Sequence, residues 1–167
     1  MTEIASDRGE PTARLAFSRF EDFYHAHRDE VARALTVTLG DPLLGAEAAD
    51  EAMARAYQRW RSVRSYANPA GWAYRVGLNW VRSRFRRRRR ELLGIPYEPP
   101  TWDPEPADPA VGRAVRALPE KHRAVVVLRY SLEWSHEEIA QALGIPVGTV
   151  KSRLHRALAQ LRQELGS

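Results

Sequence analysis

The chain has 167 residues, 28% of them charged and 44% apolar, which allows one globular domain or two small ones. Its net charge of +5 is carried almost wholly by Arg, since Lys121 and Lys151 are the only lysines, and Arg suits bidentate contact with phosphate and guanine. The lack of cysteine excludes disulfides, thiolate metal sites and Cys nucleophiles. The N-terminus carries acids and Pro in place of a signal peptide's apolar stretch, and no apolar run is long enough to cross a bilayer, so a cytoplasmic protein is expected.

The first predicted element is a helix. Phe20, Phe23, Tyr24, Val31, Leu35 and Leu39 form a stripe at helical spacing that stops at Gly40-Asp41-Pro42. Ala49, Met53, Ala56, Tyr57, Trp60 and Val63 form a second stripe. A third helix starts at Asn68-Pro69, with Asn as cap and Pro at the first position, and carries Trp72, Val76, Trp80 and Phe85.

From Arg75 to Arg90 there are eight Arg and no acid, ending in the run Arg86 to Arg90. This one-sided charge favours phosphate contact over a merely solubilising tail. Trp72, Tyr74, Asn79 and Trp80 interleave with Arg75, Arg82, Arg84 and Arg86. Aromatic rings stack on the bases of an opened strand while Arg neutralises its phosphates, although Trp72 and Trp80 equally suit the core of a three-helix domain, and at least one is expected there. The short Pro-Ala-Gly turn before Trp72 could hold an extruded base.

Six prolines between Ile95 and Pro109 exclude a helix or a central strand and predict an extended linker. They divide the chain into an N-terminal part over residues 15–91, a linker over 92–107 and a C-terminal part over 108–165. The second part opens on another cap, Asp108-Pro109, and Pro119 opens its next helix. Ala124 to Tyr130 has strand-like composition but no partner strand, and is read as a buried helix.

The last segment is the most specific. Ser135 and Glu138 form a capping box, Ile139, Ala140 and Leu143 give an apolar face, and Gly144 ends the helix in the left-handed conformation. Pro146 begins the next helix, on which Val150, Leu154, Leu158 and Leu161 face inward. Thr149, Lys151, Ser152, Arg153, His155 and Arg156 then face outward, as the second helix of a helix-turn-helix requires in a major groove.

The order of these parts resembles the extracytoplasmic-function sigma factors of the sigma-70 family. The block from Leu118 to Arg162 resembles their region 4, and the block from Phe20 to Arg90 resembles their region 2. The resemblance implies an all-α protein of two small helical domains, region 2 having three to four helices. It implies a subunit without catalysis of its own, which directs core RNA polymerase to promoters and helps open the DNA. Region 4 would read the −35 element through Thr149, Lys151, Ser152, Arg153, His155 and Arg156. Region 2 would meet the −10 element through Trp72, Tyr74, Arg75, Asn79, Trp80, Arg82, Arg84 and Arg86. Glu47, Asp50 and Glu51 fall where the family contacts a basic helix of the polymerase, and an anti-sigma factor is a typical further partner. Two departures stand out: Ala48 and Ala49 replace larger apolar residues, and Ser83 stands where the family has Asp.

The rival reading is a one-component regulator, a helix-turn-helix fused to a helical sensor or dimerisation domain. The Arg- and Trp-rich third helix argues against it, because a regulator needs one DNA-binding surface. An enzyme is not supported: His25 and His27 point to different faces, His136-Glu137 lacks the second His of a zinc-protease motif, and there is no Gly-rich phosphate loop. No cofactor, metal, small-molecule substrate or membrane insertion is expected.

Overall fold

The computed structural model describes residues 16–91 and 108–166, so the expected linker over 92–107 lies outside the described residues. Those described form helices and turns, with no strand among them. The N-terminal block comprises α1 (Phe20–Leu39), α2 (Pro42–Gln58), the single turn α3 (Trp60–Val63) and α4 (Pro69–Glu91). The C-terminal block comprises α5 (Pro109–Ala117), α6 (Glu120–Val126), α7 (His136–Leu143) and α8 (Val147–Glu164).

Side-chain caps set three of the helix starts. Asp41 accepts from Leu44 N–H at 3.1 Å, Asn68 Oδ1 from Gly71 N–H at 2.9 Å and Asp108 Oδ1 from Ala110 N–H at 2.8 Å, each just ahead of a proline. The Gly40-Asp41-Pro42 stop is therefore also a start. The second stripe, expected to run unbroken to Val63, breaks at Arg59 (φ −113°, ψ 21°), which separates α2 from α3. Tyr57 does not join the core; it is 62% exposed, with its ring edge-on to Phe20 at 5.2 Å.

The N-terminal core is built from Phe23, Val31 and Leu35 of α1, Ala48, Ala49, Ala52, Met53 and Ala56 of α2, and Ala70, Ala73, Tyr74, Leu78 and Val81 of α4. Small residues bring these helices close. A Cβ on Gly77 would stand 2.8 Å from Leu35 Cδ1 and 2.9 Å from the Ala48 carbonyl, so α4 rests on the backbone of α2. Ala48 and Ala49 are fully buried at this approach, which accounts for their small size. The α4 stripe expected at Trp72, Val76, Trp80 and Phe85 is the half-buried flank of the true inner face.

The segment with strand-like composition is helical and buried over Ala124 to Leu128, and Val127–Ser131 widens into a π turn closed by Leu132 N–H on the Val127 carbonyl at 3.3 Å. The two blocks do not stand apart. Tyr74 of α4 and Trp134, just ahead of α7, are both fully buried, with rings edge-to-face at 6.3 Å. One apolar core thus runs through both blocks.

Candidate nucleic-acid interface

The helix-turn-helix has the geometry its residues require. Glu138 N–H donates to Ser135 Oγ at 3.1 Å and Ser135 N–H to Glu138 Oε2 at 2.8 Å, closing the capping box reciprocally. Gly144 ends α7 at φ 66°, ψ 39°, where a side chain would be strained. Pro146 sits one residue before α8, in extended conformation. Val150, Leu154 and Ala157 are the buried column of α8, while Leu158 and Leu161 are only half-buried. Lys151, Ser152, His155 and Arg156 are exposed, whereas Thr149 and Arg153, expected to face outward, are half-buried. The Ser152 hydroxyl donates to the Thr149 carbonyl at 3.1 Å, which orients it along the helix. The outer face is therefore narrower than the sequence implies: two cations, a hydroxyl and an imidazole.

His122, at the start of α6, adds to this basic neighbourhood. Its Nδ1 is buried without a hydrogen-bond partner. Desolvation, with Lys121, Arg153 and Arg156 nearby, lowers its pKa below the ordinary value.

On α4, Arg75, Asn79 and Arg82 are exposed and follow one another at helical spacing, so they share a face. Trp72 and Trp80 are half-buried, and Trp80 carries the Arg84 guanidinium 5.3 Å from its ring centroid. Tyr74, expected among the strand-contacting residues, is not available: it is fully buried, and its hydroxyl pairs with Thr38 Oγ1 at 2.9 Å. Burial raises its pKa, so the phenol stays neutral. Its place on the inner face, four residues ahead of Leu78, put it there. Arg86 is exposed and donates to Ser83 Oγ at 3.1 Å, so the serine that replaces an acid still accepts from the first residue of the Arg run.

The acidic residues of α2 already carry internal partners. Arg84 binds Glu47 at 2.8 Å, Arg28 binds Asp50 at 2.9 Å and Arg55 binds Glu51 at 2.9 Å. The Asp50 hydrogen bond is the main cause of the raised Arg28 pKa. All three pairs are solvent-facing and add little stability, about 0–1 kcal/mol each.

Sequence reasoning missed Trp134, Glu120 and Arg123, which face the other block. For Trp134 a signal existed: an apolar residue before the cap with Ile139 at the fourth helical position is the spacing of a hydrophobic staple, and both are fully buried.

Comparison with known proteins covers the same two blocks. The family model for sigma-70 region 2 matches residues 23–91, and that for sigma-70 region 4 matches residues 109–161. The chain is 34% identical over 151 residues to the RNA polymerase sigma-E factor of Streptomyces coelicolor, covering 87% of this chain and 85% of that one. It is 33% identical over 176 residues to the ECF RNA polymerase sigma factor SigL of Mycobacterium tuberculosis, covering 98% of each. In fold it is similar to the sigma factor RpoE of Bartonella quintana, crystallised with the anti-sigma factor NepR, with a TM-score of 0.71, 19% identity, and coverage of 88% of this chain and 96% of that one.

Proposed function

The chain belongs to the extracytoplasmic-function sigma factors of the sigma-70 family, and from that premise we propose how its residues divide the work of transcription initiation. The face of α8 carrying Lys151, Ser152, His155 and Arg156 reads the −35 element, with Thr149 and Arg153 at its edges. The face of α4 carrying Arg75, Asn79 and Arg82, flanked by Trp72, Trp80, Arg84 and Arg86, meets the −10 element. Glu47, Asp50 and Glu51 of α2 meet core RNA polymerase. The protein acts in the cytoplasm without enzymatic activity of its own, and an anti-sigma factor is its expected inhibitor.

The observation that carries this reading is the pair of basic outward faces on two different blocks, α4 and α8, each over its own buried column. A sigma factor needs two such faces to span a promoter. The purified protein is expected to form a complex with core polymerase and initiate at a discrete promoter. On that promoter, Asn79→Ala is expected to reduce permanganate-reactive thymines in the opened region while leaving polymerase binding intact. Equal melting by variant and parent would remove Asn79 from the site.

A further inference from the structure

Arg supplies nearly all of this chain's positive charge, and a guanidinium keeps its charge and is no target for acyl transfer. The two side-chain amines that can be acylated, Lys121 and Lys151, both belong to the C-terminal block and are both exposed; residues 15–91 contain none. Among the side chains, an amine-acylating reagent therefore acts on the −35 half of the protein and leaves the −10 half untouched.

The two lysines have different neighbours. The exposed residues of the α8 face form two pairs at one-turn spacing, Lys151 with His155 and Ser152 with Arg156, and Ser152 and His155, three apart, join the pairs. An amine, an imidazole and a guanidinium thus share one patch, and among the described residues none of the three is held in an ion pair or a side-chain hydrogen bond. Imidazole is the side chain that accepts a proton near neutral pH. The Ser152 hydroxyl is already engaged with the Thr149 carbonyl at 3.1 Å. Lys121 lacks this setting. His122 follows it directly, so the two side chains do not face each other, and His122 Nδ1 is buried. Four residues beyond Lys121 stands Val125, which is in the core.

We propose that Lys151 is an acylation site for an acyl phosphate, with His155 as its base and Arg156 as the phosphate holder, and that acylation switches off −35 binding. The Arg156 guanidinium holds the donor's phosphate. His155 takes one proton from the Lys151 ammonium, and Nζ attacks the acyl carbon. The N–C bond forms and the bond from the acyl carbon to the phosphate oxygen breaks. The phosphate leaves with that electron pair and with the second proton of the amine. A neutral amide then stands where a cation stood, and one DNA phosphate contact is lost. DNA and the acyl donor compete for the same patch. The effect on DNA rests on the assignment of the α8 face to the −35 element; the acylation itself does not.

The test treats the full chain with acetyl phosphate and follows each lysine by mass spectrometry. Lys151 is expected to react faster than Lys121, and a mixed-sequence duplex should protect it. The ratio of the two rates should fall several-fold in His155→Gln, and also when the uncharged acetyl ester of N-hydroxysuccinimide replaces acetyl phosphate. Lys121 reports from the same molecules, so the ratio does not depend on the amount of protein. Equal rates overturn the proposal, and so does a ratio that either change leaves where it was; both outcomes leave the −35 assignment standing. The acetylated protein should bind the duplex several-fold more weakly, with a salt slope smaller by about one. In Lys151→Arg, compared with its own untreated sample, acetyl phosphate should cause none of that loss. A loss that persists in Lys151→Arg belongs to Lys121 and overturns the switch. Selective acylation of Lys151 that leaves duplex affinity intact overturns the switch through its premise: Lys151 is then no DNA contact, and its −35 assignment fails as well.

Discussion

Arg156 and Lys151 carry the same charge on one helix, yet different losses are expected on removing them. Arg156 shares its face with Ser152 and can reach a base edge with two parallel donors. Arg156→Ala should cost about 1–3 kcal/mol and relax preference at a single −35 position. Lys151→Ala should weaken binding to all sequences alike and lower the salt slope by about one. A promoter library scanned with both variants at several salt concentrations separates the outcomes; Arg156→Ala that keeps the parent's preferences and only loses affinity would be a phosphate contact. His122 gives a second prediction. Its folded pKa lies below the unfolded value, first because of burial and then because of Lys121, Arg153 and Arg156. The unfolded state therefore takes up the proton first as pH falls. Stability is fully present above the ordinary His value of about 6.5 and declines as pH drops below it. His122→Gln should flatten that part of the curve of melting temperature against pH; an unchanged slope would assign the loss to another group.

At the scale of elements, local chemistry and close approach contribute separately. The capping box at Ser135 is complete, so Ser135→Ala should lower stability by about 1 kcal/mol, read from chemical unfolding, without moving the domain seam. Gly77 is different, because it is helical with ordinary backbone angles and its constraint is the neighbouring helix. Gly77→Ala drives a methyl against Leu35 and the Ala48 carbonyl and should cost about 1–3 kcal/mol. On the outer side of α2, reversing Asp50 and Glu51 to Arg should leave the helix folded and weaken competition for core polymerase, since Asp50 is exposed, Glu51 is half-buried and neither belongs to the core. Undiminished competition by a folded variant would free these residues of that role. The start of α2 is legible, because Asp41-Pro42 repeats the signal at Asn68-Pro69 and Asp108-Pro109, but the same residues also end α1, so one signal serves as both stop and start. The break at Arg59 leaves no such mark: no Gly or Pro stands there.

For the molecule as a whole, the shared core predicts cooperative unfolding. Tyr74 and Trp134 belong to different blocks and bury each other, so calorimetry should show one transition whose measured and van't Hoff enthalpies agree. Two resolved transitions would mean that the blocks melt independently and that the seam is weak.

Most of the helices, their caps, the helix-turn-helix and the family are legible in the sequence, because each rests on residues within one or two turns of one another: Ser135 with Glu138, Asn68 with Pro69, Val150 with Leu154. It also identified the cations that suit DNA, since charge and helical spacing are local properties. Tertiary structure alone decided which of those residues stay free. Tyr74 and Asn79 are both polar residues on one helix, but Tyr74 sits in the column with Leu78 that α1 and Trp134 cover, and Asn79 lies outside it. Arg123 read as one more basic residue of a basic chain, and only the meeting of α1 and α5 turns it into a tie between two carbonyls. A phase error of a single residue on a helix swings a side chain by over a quarter turn. Where small residues such as Ala73 and Gly77 line the inner face, the large aromatics at its edge mislead the eye, and packing supplies the phase that hydrophobicity does not.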